Sequence, residues 1–317
     1  MTKTYLIGIG AGLAALAMLL SPMGTSLLAI PMMMLSAMPI VIAGLGWGTM
    51  AAATATLAGF VTALFALQLP AALMFAAAVG VPATFATHLV GLVRLPDAGE
   101  AGPAEWYPLS RVVLMLTLWC GLLGVGVIFL AGFNPSGDRS ELIAGLTAMF
   151  AEGGGAGAPP TAQIEAMATM IVAVMPYAFS AMWLVSLLLS LWIGALVVRR
   201  SGLLTRPWEN LNGFRPDPAM VMMFGAALLL SYLPDPLGLV AKPFVGALSI
   251  AHLAVGLAVL HWLSRPWALR VPALAIFYGL LFIVGLPGLL ALVLGLVDRF
   301  FDLRGLSPRA GDEPPRS

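Results

Sequence analysis

Charged residues are scarce in this chain, and none of them falls within the long apolar runs that we expect to cross a membrane. Of 317 residues, 9% are charged (15 basic and 14 acidic), 61% are hydrophobic, and the mean hydropathy is +1.00. Soluble proteins carry about 25% charged residues. Each Asp, Lys or Arg at the centre of a membrane helix costs about 2.5 to 3.5 kcal/mol. The composition therefore predicts a polytopic membrane protein and argues against the buried ion relays of many pumps.

Reactive side chains are also few. Cys120 is the only cysteine, so the chain can form no internal disulfide. We expect no metal site and no cofactor, because no cysteine or carboxylate stands at ligand spacing from the three histidines. No carboxylate pair, Ser/Lys dyad or His/Glu cluster lies at membrane depth, so we expect no enzymatic activity. A net charge of only +1 argues against nucleic acid as a partner.

One histidine stands out by its depth. His88 and His261 lie near the predicted membrane boundaries, where interfacial anchoring explains them. His252 lies deeper in its apolar run. Polar groups at that depth are costly and often functional. His252 is therefore the best single candidate for a polar contact, either to a ligand or to another helix.

Long apolar runs fill most of the remaining sequence. A helix needs about 20 apolar residues to cross a hydrocarbon core of about 30 Å, and lipid offers no hydrogen-bond partner to backbone groups. The sequence therefore predicts an all-α, polytopic transmembrane helix bundle of eight to ten spans. Nine candidate spans cover residues 5–20, 24–44, 48–68, 71–93, 111–132, 167–198, 218–233, 243–263 and 271–297.

The distribution of arginines predicts the orientation. Segment 199–217 forms a basic patch, whereas segment 133–165 has Arg139 as its only basic residue. By the positive-inside rule the basic patch is cytoplasmic, segment 133–165 is extracytoplasmic, and counting spans backwards places the N-terminus in the cytoplasm. The members of the patch are Arg199, Arg200, Arg206 and Arg215.

The C-terminal topology gives conflicting signals. Arg265 and Arg270 suggest one cytoplasmic loop, and the basic tail suggests another, yet one apolar run separates them. Either Gly285 and its neighbours open a tight hairpin, or one charge signal misleads. A single tilted span is the simpler structure.

The chain reads as one integral membrane domain over residues 1–297 with a polar tail over 298–317. Within the extracytoplasmic insertion 133–165, Asp138 and Glu141 have the spacing of a capping box, and apolar residues follow at helical spacing. This predicts a short helix on the outer membrane surface. We expect the tail to be disordered after a first amphipathic turn.

Small residues recur at four-residue intervals along the first spans. Such faces let helix backbones approach closely. Packing within the chain explains most of them, and a docking surface for another membrane protein is the alternative. The faces are formed by Gly8 with Gly12, Ala11 with Ala15, and Gly44 with Gly48.

Three stretches resemble a known family. They are residues 31–60 with the run PIVIAGLGWG at 39–48, the run HLAVGLAVLH at 252–261, and the run GLVDRFFDLR at 295–304. Together they resemble the YybS-like bacterial predicted membrane proteins, a family of unknown function. That family is distantly similar to the S components of energy-coupling-factor vitamin transporters. The resemblance implies a helix bundle around a small-molecule pocket, located in a bacterial inner membrane.

Two hypotheses follow. In the first, the chain is an S-component-like protein that binds a small neutral or amphipathic ligand without ion coupling, and Ala11 and Ala15 form the face that docks on a transporter coupling subunit. In the second, it is a membrane scaffold that organises an assembly through its small-residue faces. Both hypotheses have the lipid bilayer as a partner. The sequence departs from the S components in carrying more than six spans and no recognisable vitamin-binding motif.

Overall fold

The computed structural model describes residues 2–21, 28–96, 103–152, 159–208 and 214–305, and these residues form an all-α helix bundle. The only strands in these ranges are two-residue segments, β1 (Val93–Arg94) and β2 (Glu105–Trp106), which pair antiparallel. The predicted fold class is confirmed. The helices are α1 (Thr2–Leu19), α2 (Ala29–Met34), α3 (Met38–Trp47), α4 (Thr49–Leu67), α5 (Leu69–Phe75), a π-helical turn (Ala76–Gly80), α6 (Val81–Gly91), α7 (Leu109–Leu130), α8 (Pro135–Glu152), α9 (Thr161–Arg200), α10 (Pro218–Leu230), α11 (Leu237–Leu263), α12 (Arg270–Val284) and α13 (Leu286–Phe301).

Seven of these helical segments are long and apolar enough to cross a bilayer, and the number rises to eight if α12 and α13 together form one span. By length and composition the chain is therefore a multi-pass membrane protein. Helix α10 has 13 residues and is shorter than a usual span. The seven are α1, α2 with α3, α4, α5 with α6, α7, α9 and α11.

Residues 271–297 do not form one straight, tilted helix, and the break falls at Gly285, where the sequence left a hairpin open as the alternative. The helix axis bends by 115° between α12 and α13. Gly285 adopts a left-handed conformation between them, with φ of 73°, and Pro287 lies in the first turn of α13. Glycine reaches this conformation without steric cost and proline favours a helix start, so the sequence breaks the run at this point.

Ion pairs bring the C-terminal residues to the same end of the bundle as segment 199–217. Arg215 donates to Asp302 at 2.6 Å, and Arg111 lies 3.9 Å from Asp217, which caps α10. We call this the Arg215 end. Helix α11 begins at the opposite end, here called the Lys242 end, and its 27 residues extend about 40 Å. The loop at Arg265 and the tail thus share one end, so the two basic signals do not conflict.

The insertion 133–165 contains a helix, as expected, but it begins earlier than the predicted cap. Helix α8 starts at Pro135, and the Asp138 carboxylate accepts a hydrogen bond from the backbone N–H of Asn134 at 3.1 Å. It packs on α9. The predicted tail boundary also moves, because α13 continues to Phe301 and Arg304 is buried. Residues 306–317 lie outside the described part of the chain.

Among the described residues, two pairs of helices touch backbone to backbone at places where both sides carry glycine or alanine. A Cβ on Gly12 would overlap the Ala55 carbonyl in the α1–α4 contact, and a Cβ on Gly256 would overlap the Ala291 carbonyl in the α11–α13 contact. Ala15 is also fully buried within the chain. Van der Waals contact at this distance is a main source of helix association in lipid, where the hydrophobic effect does not act between helices.

A buried ion pair closes the end of α13. Arg304 donates to the same Asp298 oxygen through Nε at 3.1 Å and through a terminal nitrogen at 2.8 Å. The Arg304 side chain is 0% exposed and that of Asp298 is 6% exposed. Asp298 therefore places a carboxylate within a helix that packs on α11, one residue beyond the run that we expected to be free of charge.

Replacing Gly256 with leucine is expected to lower the free energy of unfolding by about 1–3 kcal/mol, because the new side chain overlaps the Ala291 backbone. Thermal unfolding of the purified protein in detergent measures the change. Gly279→Leu is the matched control, since nothing lies within 4 Å of its Cβ position. Equal unfolding midpoints for the two variants would contradict the close α11–α13 contact.

Arg304→Gln is expected to lower the free energy of unfolding by about 3–5 kcal/mol, because the variant leaves the Asp298 carboxylate buried without its cation. The adjacent Arg299→Gln serves as control, since Arg299 is exposed. Chemical unfolding of both variants measures the difference. Unfolding of both variants at the same denaturant concentration would show that the buried ion pair does not stabilise the structure.

Candidate functional site

An open groove of about 490 Å³ lies between α4 and the segment formed by α5, the π-helical turn and α6. It opens sideways through the flank of the bundle, where Leu57 and Phe85 are 62% and 45% exposed. None of its lining residues is charged. These residues are Thr49, Ala53, Thr56, Leu57, Phe60, Ala76, Val81, Thr84, Phe85 and His88.

Helical spacing accounts for both walls. On α4, Thr49, Ala53, Thr56 and Phe60 follow one another at intervals of four, three and four residues, which places them on one face. On the other wall, residues 81, 84, 85 and 88 repeat the pattern. The groove is therefore built by two regular helix faces and needs no loop.

Polar atoms are arranged in two pairs along the groove. The Thr49 hydroxyl lies 3.1 Å from Nδ1 of His88, and the hydroxyls of Thr56 and Thr84 lie 2.8 Å apart. Nε2 of the exposed His88 ring forms no hydrogen bond with any of the described residues. The groove thus has a polar end at Thr49 and His88 and an apolar end at Phe60 and Ala76.

The π-helical turn beside the groove is held by two tryptophans. Trp119 Nε1 donates to the Ala77 carbonyl at 2.7 Å, and Trp183 Nε1 donates to the Ala78 carbonyl. A π-helical turn disturbs the regular hydrogen-bond ladder and often occurs at functional sites. The indoles from α7 and α9 satisfy backbone carbonyls that would be costly to leave unpaired in an apolar interior.

A glycine sets the distance between the two walls. A Cβ on Gly80 would lie 2.6 Å from Cγ2 of Thr56. Glycine at the end of the π-helical turn therefore lets α4 and α6 come close enough for the Thr56–Thr84 hydrogen bond.

His252, the predicted ligand contact, is not part of this groove. It is 0% exposed, its Nδ1 lies 2.8 Å from the Leu248 carbonyl, and its ring lies 5.2 Å from that of Phe224. Nε2 has no partner among the described residues. His252 therefore packs by its ring against Phe224 of α10, and among the described residues its polar contact is with its own helix α11 and not with another helix.

The four arginines of the predicted basic patch do not form one exposed surface. Arg206 is buried, donates to the Tyr107 carbonyl at 2.7 Å and lies 6.0 Å above the Trp106 ring. Arg215 pairs with Asp302. Arg199 and Arg200 are exposed in the last turn of α9. Half of the patch therefore holds the Arg215 end together.

The predicted small-residue faces are used mainly within the chain. Gly8 and Gly12 pack on α4, and a Cβ on Gly44 would overlap Thr87 of α6. Gly48 does not share a helix face with Gly44, because α3 ends at Trp47 and Gly48 has a φ of 89° in the break before α4. Ala11 remains partly accessible, whereas Ala15 is fully buried.

Sequence reasoning missed the groove. A hydroxyl in a membrane helix commonly bonds to its own helix, as that of Thr54 does by donating to the Met50 carbonyl at 2.8 Å, so a single threonine carries little signal. The sequence analysis assigned His88 to interfacial anchoring. The available signal was a pair of polar residues on each of two neighbouring helices, Thr49 with Thr56 and Thr84 with His88, each spanning one to two turns.

Comparison of the chain with protein-family models, with curated proteins and with solved structures finds no match.

Trp183→Phe is expected to lower the stability by about 1–3 kcal/mol, because it removes the donor to a carbonyl of the π-helical turn. Trp192→Phe is the control, since Trp192 is 44% exposed and donates to none of the described residues. Thermal unfolding in detergent compares the two. A larger loss for the control would show that the indole does not support the turn.

Proposed function

We propose that this chain binds a neutral amphipathic small molecule in the groove between α4 and α6. The observation that carries the proposal is the groove itself, which has apolar walls and a polar end on the flank of the bundle. Ligand sites are typically apolar cavities of about 300–1,000 Å³ with a few polar groups that fix the ligand's orientation.

The lining residues define the ligand. No lysine, arginine or carboxylate contacts the cavity, so a charged group would enter without a counterion at high cost. The hydroxyl of Thr49 and Nε2 of His88 suit a ligand hydroxyl or carbonyl. Thr49 and Phe60 are eleven residues apart on α4, so the groove is about 16 Å long. A hydroxylated chain or ring system of that length fits.

The position of the opening indicates how a ligand enters. Leu57 and Phe85 border the groove and are exposed on the helix flank, where a bilayer would lie. An apolar molecule dissolved in the membrane can reach the site without crossing water. The expected location in a bacterial inner membrane, with a cytoplasmic N-terminus, forms part of this proposal.

Transport in the manner of S components would also require docking on a coupling module. In S components an Ala-x-x-x-Ala face on the first helix docks on the coupling module. Here Ala15 is fully buried within the chain, so a partner cannot reach the whole face formed by Ala11 and Ala15. Ligand binding therefore has more support than docking, and the same burial of Gly8, Gly12 and Ala15 disfavours the scaffold hypothesis.

Photolabelling with a diazirine-bearing long-chain alcohol tests the groove. The alcohol is expected to label peptides covering residues 49–60 and 81–88 in preference to other lipid-facing helices. Ala53→Phe fills the groove and should reduce this labelling at least tenfold, because Ala53 lines the cavity and is exposed. Mass spectrometry of the digested protein measures the labelled positions.

Ala14→Phe provides the matched control, since Ala14 is exposed on α1 and lies outside the groove. It should leave the labelling of residues 49–60 unchanged. Uniform labelling of all exposed helices, or equal labelling in the Ala53→Phe variant, would overturn the proposal.

A further inference from the structure

A second cavity, of about 380 Å³, lies at the Lys242 end of the bundle, away from the groove. Helices α8, α9 and α11 each contribute to its walls, and Phe133 contributes from the segment after α7. Arg139 and Lys242 bring two positive charges to it, beside Thr169, Val172 and Pro176.

The sequence makes this convergence unusual. Arg139 is the only lysine or arginine between residues 112 and 198, and Lys242 is the only one between residues 216 and 264. The two residues are 103 positions apart (242 minus 139) and sit on different helices, yet they line one cavity. The positive-inside rule predicts that this end is extracytoplasmic, where basic residues are disfavoured. Two basic residues thus meet at an end where the rule predicts few.

Neither cation is neutralised by the part of the chain that the structure describes. The ion pairs in these residues join Arg111 to Asp217, Arg215 to Asp302 and Arg304 to Asp298. Lys242 is half-buried in the second turn of an apolar helix, and Arg139 is exposed at the cavity mouth. An ammonium partly withdrawn from water without a counterion is unfavourable, so an anion in the cavity would be stabilised by both residues.

The remaining walls define the rest of the ligand. The Thr169 hydroxyl donates to the Glu165 carbonyl at 2.7 Å, so it can only accept a further hydrogen bond. Phe133, Val172 and Pro176 present apolar surface. A guanidinium can bind two phosphate oxygens at once and an ammonium adds a compact charge. We infer that the cavity of Arg139 and Lys242 binds a phosphate group, and the apolar surface of Phe133 and Pro176 suits a phosphate that carries an apolar chain.

A phosphate of this kind could belong to a membrane lipid or to a free solute. Native mass spectrometry of the delipidated full-length protein in a neutral detergent distinguishes the two. The probes are dihexanoyl phosphatidic acid, the uncharged dihexanoylglycerol, and inorganic phosphate as a competitor. Wild-type protein is expected to retain phosphatidic acid and not dihexanoylglycerol. Phosphate in excess that leaves the complex intact identifies the lipid as the source, and displacement by phosphate identifies the free anion.

The variants test the two cations. Lys242→Gln and Arg139→Gln are each expected to weaken phosphatidic acid binding at least tenfold. Lys242→Arg keeps the charge and should retain binding, which separates loss of charge from misfolding. Lys3→Gln is the matched control, because Lys3 is exposed on α1 and lines neither cavity.

The inference is overturned if wild-type protein binds neither phosphate probe, if dihexanoylglycerol binds as well as phosphatidic acid, or if both glutamine variants bind as wild type does. The Ala53→Phe variant should bind phosphatidic acid normally. Failure at this cavity therefore leaves the groove proposal untouched, and the reverse also holds.

Discussion

Contact between helix backbones, made possible by glycine and alanine, is the constraint on which this structure depends. In lipid the hydrophobic effect does not press helices together, so association relies on van der Waals contact and polar links. The α1–α4 contact at Gly12 and the α11–α13 contact at Gly256 leave no room for a Cβ. The N-terminal and C-terminal parts of the bundle thus each contain a helix pair that only small residues permit. Larger buried side chains, such as those of Phe75 and Leu184, then fill the core.

Interruptions of the helices create the sites. The run over residues 69–91 would be one regular helix without its π-helical turn, and its carbonyls would bond internally. The turn presents the Ala77 and Ala78 carbonyls to Trp119 and Trp183, and Gly80 at its end fits against Thr56. The π-helical turn thus sets how closely α6 approaches α4, and the groove lies between the regular faces of these two helices. Pro176 marks the second cavity in a comparable way within α9, because proline cannot donate to the carbonyl of Val172.

Much of the fold could be predicted from the sequence. Hydropathy located nine apolar segments, and each of them contains helix in the described residues, although only seven or eight helical segments are long and apolar enough to cross a membrane. The sequence left the break at Gly285 as one of two alternatives and did not predict its 115° bend, because proline and glycine near a run of 27 residues fit both a kinked span and two short helices. It also overlooked Lys242 as part of a helix, since α11 starts at Leu237, earlier than the apolar run suggested. Such boundaries depend on tertiary packing and local hydrogen bonding.

The sites were harder to predict for a physical reason. His252 is prominent in the sequence because it is polar and deep, yet burial against Phe224 explains its position. Thr56 and Thr84 look ordinary, and their meaning arises when two helices bring them 2.8 Å apart. Arg139 and Lys242 are unremarkable singly and become a site through proximity. A site formed by residues that are far apart in the sequence cannot be predicted from their spacing along the chain.

The ion pair between Arg215 and Asp302 has a consequence for biosynthesis. The two residues are 87 positions apart, so Arg215 leaves the ribosome long before the carboxylate that it will bind. Helices α10, α11, α12 and α13 must be translated in the interval. This ion pair can therefore form only after Asp302 has emerged from the ribosome, and a ribosome that stalls before that residue would leave the nascent protein without the pair.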